Sequence, residues 1–242
     1  IKLIDESCQK YGYQCSGESL TIADKNEVWT MELIGKGKDE MGAVWVARRM
    51  PDDMISAHAN HSRIRQFPLK DKENCLYSKD VISFARKKGY FTGKDKDFSF
   101  SEAYAPIDFG AKRYCEARVW SFFNKWAAED MKPYLPYAMG EDVNPETKQP
   151  IDGIPHEMPL WVKPKQFLST QDVKDMMRDH YEGTPMDITE GLGSLPWKMP
   201  YRVTPLSYKV DGKEYFNERP ISTVQSSAIY VAQMRDWLPD YI

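Results

Sequence analysis

Four polar residues crowd one strand-like stretch, "MISAHANHSRI", running from Met54 to Ile64. His58, Asn60, His61 and Arg63 stand where a core strand would carry apolar side chains, and buried polar groups need partners. A strand end that opens onto a site would explain them. The two histidines lie three apart, a spacing that puts them on opposite faces of a strand and argues against a shared metal. Asn60 carries an amide able to donate to a developing oxyanion, as acyl transfer requires. It can equally satisfy neighbouring backbone groups. Arg118 sits among apolar residues in "YCEARVWSFF" and shares a helical face with Phe122 rather than Glu116. Such an arginine must reach a carboxylate or a cleft, or snorkel to solvent. "DHYEGTPMDITEG" gathers Asp179, His180, Glu182 and Asp187 just after a helix end. That grouping suits general-acid or metal chemistry, and equally a solvated helix terminus.

The elements that must position these residues fall into three stretches. An opening helix over "LIDESCQKYGY" ends at Gly12, and four strand-like runs follow: "ESLTIAD", "EVWTMELIG", "GAVWVARRM" and "MISAHANHSRI". Their short turn-rich connections predict an antiparallel meander, because parallel strands need long crossovers. In the second run Trp29, Met31 and Leu33 alternate with Val28, Thr30 and Glu32, so one face is expected to be buried. From Tyr77 the period changes to that of helices. "SKDVISFARKKGY" places Val81, Phe84 and Ala85 on one face and stops at Gly89. "DFGAKRYCEARVWSFFNKWAAED" reads as the longest helix, with Tyr114, Val119, Phe122, Phe123 and Trp126 as its stripe.

Residues 131 to 165 are rich in proline and turn residues and read as a long surface excursion. "STQDVKDMMRDHYEG" reads as a helix opened by a capping box, Ser169 with Asp172, and stopped by Gly183. "LSYKVDGKEYF" is a hairpin about Asp211-Gly212, and "ISTVQSSAIYVAQMR" a closing strand. Strands, helices and strands again point to an α+β fold.

Composition narrows the function. The 242 residues are 41% hydrophobic and 29% charged, with a net charge of −3 and no basic block. Nucleic acid and anionic membranes are therefore not expected partners. No apolar run approaches the roughly 18 residues of a spanning helix. Cys8, Cys15, Cys75 and Cys115 form no CxxC pair, which argues against a zinc ribbon. Reduced core thiols are expected, with Cys8–Cys15 the most local choice if a disulfide forms. No HExxH, P-loop or GxSxG is present.

Taken together, "GESLTIADKNEVWTMELIGKG", "GAVWVARRMPDDMISAHANHSRI", "RYCEARVW", "DHYEGTPMDIT" and "ERPISTVQSSAIYVAQMRDWLP" resemble the bacterial dipeptidase A family. These are cysteine peptidases of the N-terminal-nucleophile hydrolase superfamily, related to choloylglycine hydrolases and penicillin V acylase. The resemblance implies an αββα sandwich of two antiparallel sheets, incomplete at both ends here. It also implies a mature N-terminal Cys as nucleophile, its own α-amine serving as base. By that resemblance Asn60 is an oxyanion donor and Arg118 the arginine beside the nucleophile. His58, Arg63, Asp179, His180, Glu182 and Asp187 are candidates to hold the charged end of a dipeptide. The family uses no cofactor or metal. None of the four cysteines occupies the family's nucleophile position, so residues 1–242 are expected to be one domain, the internal portion of a longer dipeptidase and inactive alone. The expected partner is a dipeptide, with a homo-oligomer possible. Compartment stays open. An acylase acting on bile-salt-like or penicillin-like amides, and a non-catalytic peptide-binding module, are the alternatives.

Overall fold

The computed structural model describes residues 1–202 and 207–239, which divide into two compact units. Of the described residues, the first takes those up to Asp108 and 234–239; the second is built from Phe109–Gln233.

In the first unit, helix α1 (Lys2–Tyr11) stops at Gly12, whose φ of 79° suits a residue without a side chain. Strands β1 (Gly17–Ala23), β2 (Val28–Gly35) and β3 (Ala43–Arg49) form the expected antiparallel meander. The register sets Met31 opposite Ala47 and Leu33 opposite Trp45, so their side chains share one face. There they join Trp29, Ala43 and Cys8 in a single apolar cluster. Helix α1 is tied to this face by the Trp45 indole, which donates to Asp5 at 2.9 Å.

The fourth strand is not the expected one. Only Ile55–Ser56 (β4) of the stretch 54–64 is extended as a strand, and the sheet is completed by β5 (Cys75–Tyr77), giving the order β1-β2-β3-β5. Residues 57–64 instead fold along the other face of β2. That face is buried too: Thr30 and Glu32 are 2% and 1% exposed. The expectation of one buried face is corrected, because Glu32 finds hydrogen-bond donors where an apolar strand would have found packing. Helix α2 (Val81–Lys87) buries Val81, Phe84 and Ala85 as the period predicts, and a short helix α3 (Phe100–Tyr104) follows.

The second unit is built on a continuous helical run. It starts as α4 (Phe109–Ala111), widens into a π-helical turn at Lys112–Glu116, and continues as α5 (Ala117–Trp126). It ends earlier than the sequence suggests, where Ala127 leaves helical geometry at φ −141°. Burial is also wider than a stripe. Lys112, Arg113, Cys115 and Glu116 are buried alongside Val119, Trp120 and Phe123.

The segment 131–165 is pinned toward its two ends, while residues 144–153 between them are exposed, in keeping with the excursion expected from the sequence. Short helices α6 (Ala128–Met131) and α7 (Leu135–Ala138) bury Met131, Tyr137 and Ala138, and Val162 is buried in the two-residue strand β6 (Trp161–Val162). Helix α8 (Thr170–Met176) opens with the expected capping box, both halves present. It stops well short of Gly183. The hairpin of β7 (Ser207–Val210) and β8 (Lys213–Phe216) turns on Asp211 and Gly212 at φ 51° and 78°, as an Asp-Gly turn requires; Leu206 lies outside the described residues. The closing strand is absent. Residues 221–235 make no strand, and Val224, Ile229 and Tyr230 are exposed. Apolar alternation yields a strand only where another strand pairs with it, and none pairs with this stretch among the described residues. No helix among the described residues is long and apolar enough to cross a membrane.

Candidate active site

Within the first unit, Glu32 organises the residues singled out by type. Its carboxylate, wholly inside the protein, accepts from the Ser62 hydroxyl, from the Arg63 backbone N–H at 2.7 Å and from the Ile64 N–H at 3.0 Å. Burial pushes the Glu32 carboxyl up; the same three donors pull it back. The clamp fixes the segment's end, and Arg63, 7% exposed, turns its guanidinium back to the Ala57 carbonyl at 3.1 Å. Between these anchors Asn60 stands exposed at a bend between Ala59 and His61. His58 Nε2 lies 3.0 Å from the Thr21 hydroxyl, and burial with the Arg63 charge lowers its pKa. His61 Nε2 donates to the Ala105 carbonyl at 2.8 Å. The two histidines thus have separate partners.

Within the second unit the π-helical turn gathers buried charge. Arg118 Nε donates to the Tyr114 carbonyl at 2.7 Å, and a terminal nitrogen stands 3.9 Å from Cys115 Sγ. Burial and the nearby Arg219 charge lower the Arg118 pKa. Burial pushes the Cys115 thiol up, with Arg118 opposing. Asp179 accepts from the Ser121 hydroxyl at 2.8 Å; burial raises its pKa and the charge of Glu182 adds to the shift. Tyr181, held at φ 66°, buries its ring and donates its hydroxyl to the Arg219 carbonyl at 2.7 Å.

The other members of this acidic stretch are engaged locally. Glu182 accepts from the His180 N–H at 2.7 Å and sits 2.9 Å from its Nδ1. Asp187 accepts from the Gly183 and Thr189 N–H groups and the Thr189 hydroxyl. The expected cluster is therefore a chain of turn-forming bonds with Asp179 at its inner end.

Two groups were not singled out in the sequence. Lys112 donates to both oxygens of Asp142 at 2.7 Å, inside the protein, and His156 Nδ1 lies 3.1 Å from the same carboxylate. Arg113, 4% exposed, pairs with Glu218. Both cations precede Arg118 on one helical run where only apolar periodicity was read, and no local pattern marks a charge whose partner lies many residues away. Among the described residues no three His, Cys, Asp or Glu side chains converge as metal ligands would. All four cysteines are free thiols, and only Cys15 is exposed.

Residues 1–242 match the family model described as peptidase family C69 from end to end. The chain belongs to peptidase family C69. Among relatives of this C69 chain, a protein named probable dipeptidase from Salmonella dublin is 26% identical over 244 residues. That alignment takes in 100% of this chain and 45% of the relative. A probable dipeptidase of Latilactobacillus sakei is 27% identical over 86% of this chain and 38% of its own length. A dipeptidase of Bifidobacterium longum is 25% identical over 84% and 37%. The chain thus spans less than half the length of these relatives.

Proposed function

We propose that this C69 chain is part of a dipeptidase that cleaves the peptide bond of free dipeptides through a cysteinyl acyl-enzyme. The end-to-end family match carries the reading, and the relatives' names point to dipeptides as substrates. The nucleophile in this mechanism is an N-terminal cysteine with its own α-amine as base, since a thiol and an amine of near-neutral pKa exchange a proton readily. The buried, up-shifted thiols of Cys8, Cys75 and Cys115 are poorly suited to that part. The architecture that accompanies it is the αββα sandwich, and a β2 strand buried on both faces is in keeping with it.

In this reading Asn60 donates its amide to the carbonyl oxygen as negative charge develops there. Arg118 supplies positive charge that favours the thiolate. His58 and Arg63, with Asp179, His180, Glu182 and Asp187, are the charged groups available to a peptide terminus. The test is hydrolysis of L-alanyl-L-alanine by the full-length protein. Asn60→Ala should lower kcat on the order of 100-fold with an unchanged unfolding midpoint. No release of alanine by the wild type would sink the reading, and an unchanged kcat would end the role of Asn60.

A further inference from the structure

Successive N–H groups of a β-strand point to opposite edges of its sheet, so one side chain does not bind two of them in a ladder. Arg63 and Ile64 are successive, and both donate to Glu32, to Oε1 at 2.7 Å and to Oε2 at 3.0 Å, with the Ser62 hydroxyl also on Oε2. Converging N–H groups make a concavity suited to an anion, and a carboxylate of β2 fills this one. The chain at 62–64 is thereby turned out of strand geometry and held there.

This clamp closes one end of a bend. Beyond it, the Ile64 and Arg65 carbonyls accept from the Ser101 N–H at 2.9 Å and the Phe100 N–H at 3.1 Å. Behind it, the Arg63 guanidinium returns to the Ala57 carbonyl, so the chain from 57 to 63 forms a closed loop. His58 and His61 tie single side chains of that loop to Thr21 and to the Ala105 carbonyl. Glu32 instead fixes the backbone of two successive residues, and with it the direction of the loop. Asn60 is exposed at the tip. Glu32, 1% exposed, is out of reach of a substrate, so its influence on a reaction passes through the segment it holds.

We propose that Glu32 is a positioning residue that acts through Asn60, holding the 57–63 loop so that the Asn60 amide meets the developing oxyanion. The inference rests on the reading of Asn60 as that donor. A misplacement of about 1 Å at a reacting group can cost on the order of 100-fold in rate, which is the scale on which such a clamp matters.

The experiment is hydrolysis of alanyl-alanine by the full-length protein, with Glu32→Gln made alone and together with Asn60→Ala. Gln keeps one acceptor oxygen and loses the other, so the clamp is loosened without stranding every donor. All variants are assayed well below their unfolding midpoints, so that only folded protein is compared. Glu32→Gln alone should lower kcat at least about fivefold with KM within about twofold. In the Asn60→Ala background the same change should lower kcat less than about twofold, because no amide remains to be misplaced. A purely structural role would lower activity alike in both backgrounds. If Glu32→Gln fails to fold, Ser62→Ala decides by the same comparison, since it removes one donor and keeps both backbone bonds. Equal loss in the two backgrounds, or no loss in either, overturns the inference, while a slowed Asn60→Ala enzyme leaves the reading of Asn60 standing. An Asn60→Ala enzyme as fast as wild type, or a wild type without hydrolysis, removes that reading and the inference with it.

Discussion

Asp179 shows how one carboxylate is altered by its surroundings. It lies at the inner end of a run of turn residues, bonded to Ser121, with Glu182 and His180 nearby. Burial makes its charged form costly and Glu182 adds repulsion, so the folded protein holds the Asp179 proton more firmly than the unfolded chain does. The stability this lends is fully present below the ordinary value of 3.8 and is lost as pH rises through the elevated folded value. Asp179→Asn removes the titration while keeping a polar group for Ser121. Wild-type stability relative to that variant, measured by urea unfolding, should fall as pH rises through this window. A difference that stays flat with pH would show that Asp179 titrates normally. Arg118 is subject to the same forces with the opposite charge: burial and Arg219 both disfavour its cation, and the carbonyl of Tyr114 compensates.

At the level of elements, the clamp between β2 and the segment 62–64 does the most to place candidate residues. Glu32 replaces a β-ladder with side-chain acceptance of two backbone N–H groups and a hydroxyl. This is why the expected strand at 54–64 is mostly irregular, and why Asn60 ends at a bend instead of on a pleat. Glu32→Ala would leave those donors buried and unmet and should cost on the order of 3 kcal/mol of stability, read by chemical denaturation. Glu32→Gln, which retains acceptor oxygen, should recover part of it. A loss under about 1 kcal/mol for the alanine variant would mean that the backbone finds other partners. The π-helical turn at Lys112–Glu116 has a comparable role in the second unit, since it buries Lys112 and Arg113 where Asp142 and Glu218 meet them. Truncating Asp142 would strand the Lys112 ammonium inside the protein, the situation in which a buried pair becomes costly to break.

For the molecule as a whole, thiol reactivity reports the packing of these elements together. Cys8, Cys75 and Cys115 are buried, and burial pushes each thiol up, Cys75 to about 11. Among these four, Cys15 should react first with iodoacetamide, and the other three only on unfolding, as mass spectrometry would show. A buried cysteine labelled as fast as Cys15 would contradict the fold described. Much of that fold was legible in local pattern. The meander β1-β2-β3, helix α2 with its buried face, the Ser169–Asp172 capping box and the Asp211-Gly212 hairpin all follow from periodicity and turn chemistry between near neighbours. The stretches that resemble dipeptidases were likewise readable in order along the chain, and the family match covers them all. Only tertiary structure decided the rest. Glu32 and Ser62 are 30 residues apart, Lys112 and Asp142 also 30, and Arg113 and Glu218 are 105 apart. A buried charge is stable only beside its partner, and no local pattern names a partner at such distances. The closing stretch 221–235 shows the converse: its alternation invites a strand, and a strand forms only where another strand pairs with it, as none does here among the described residues.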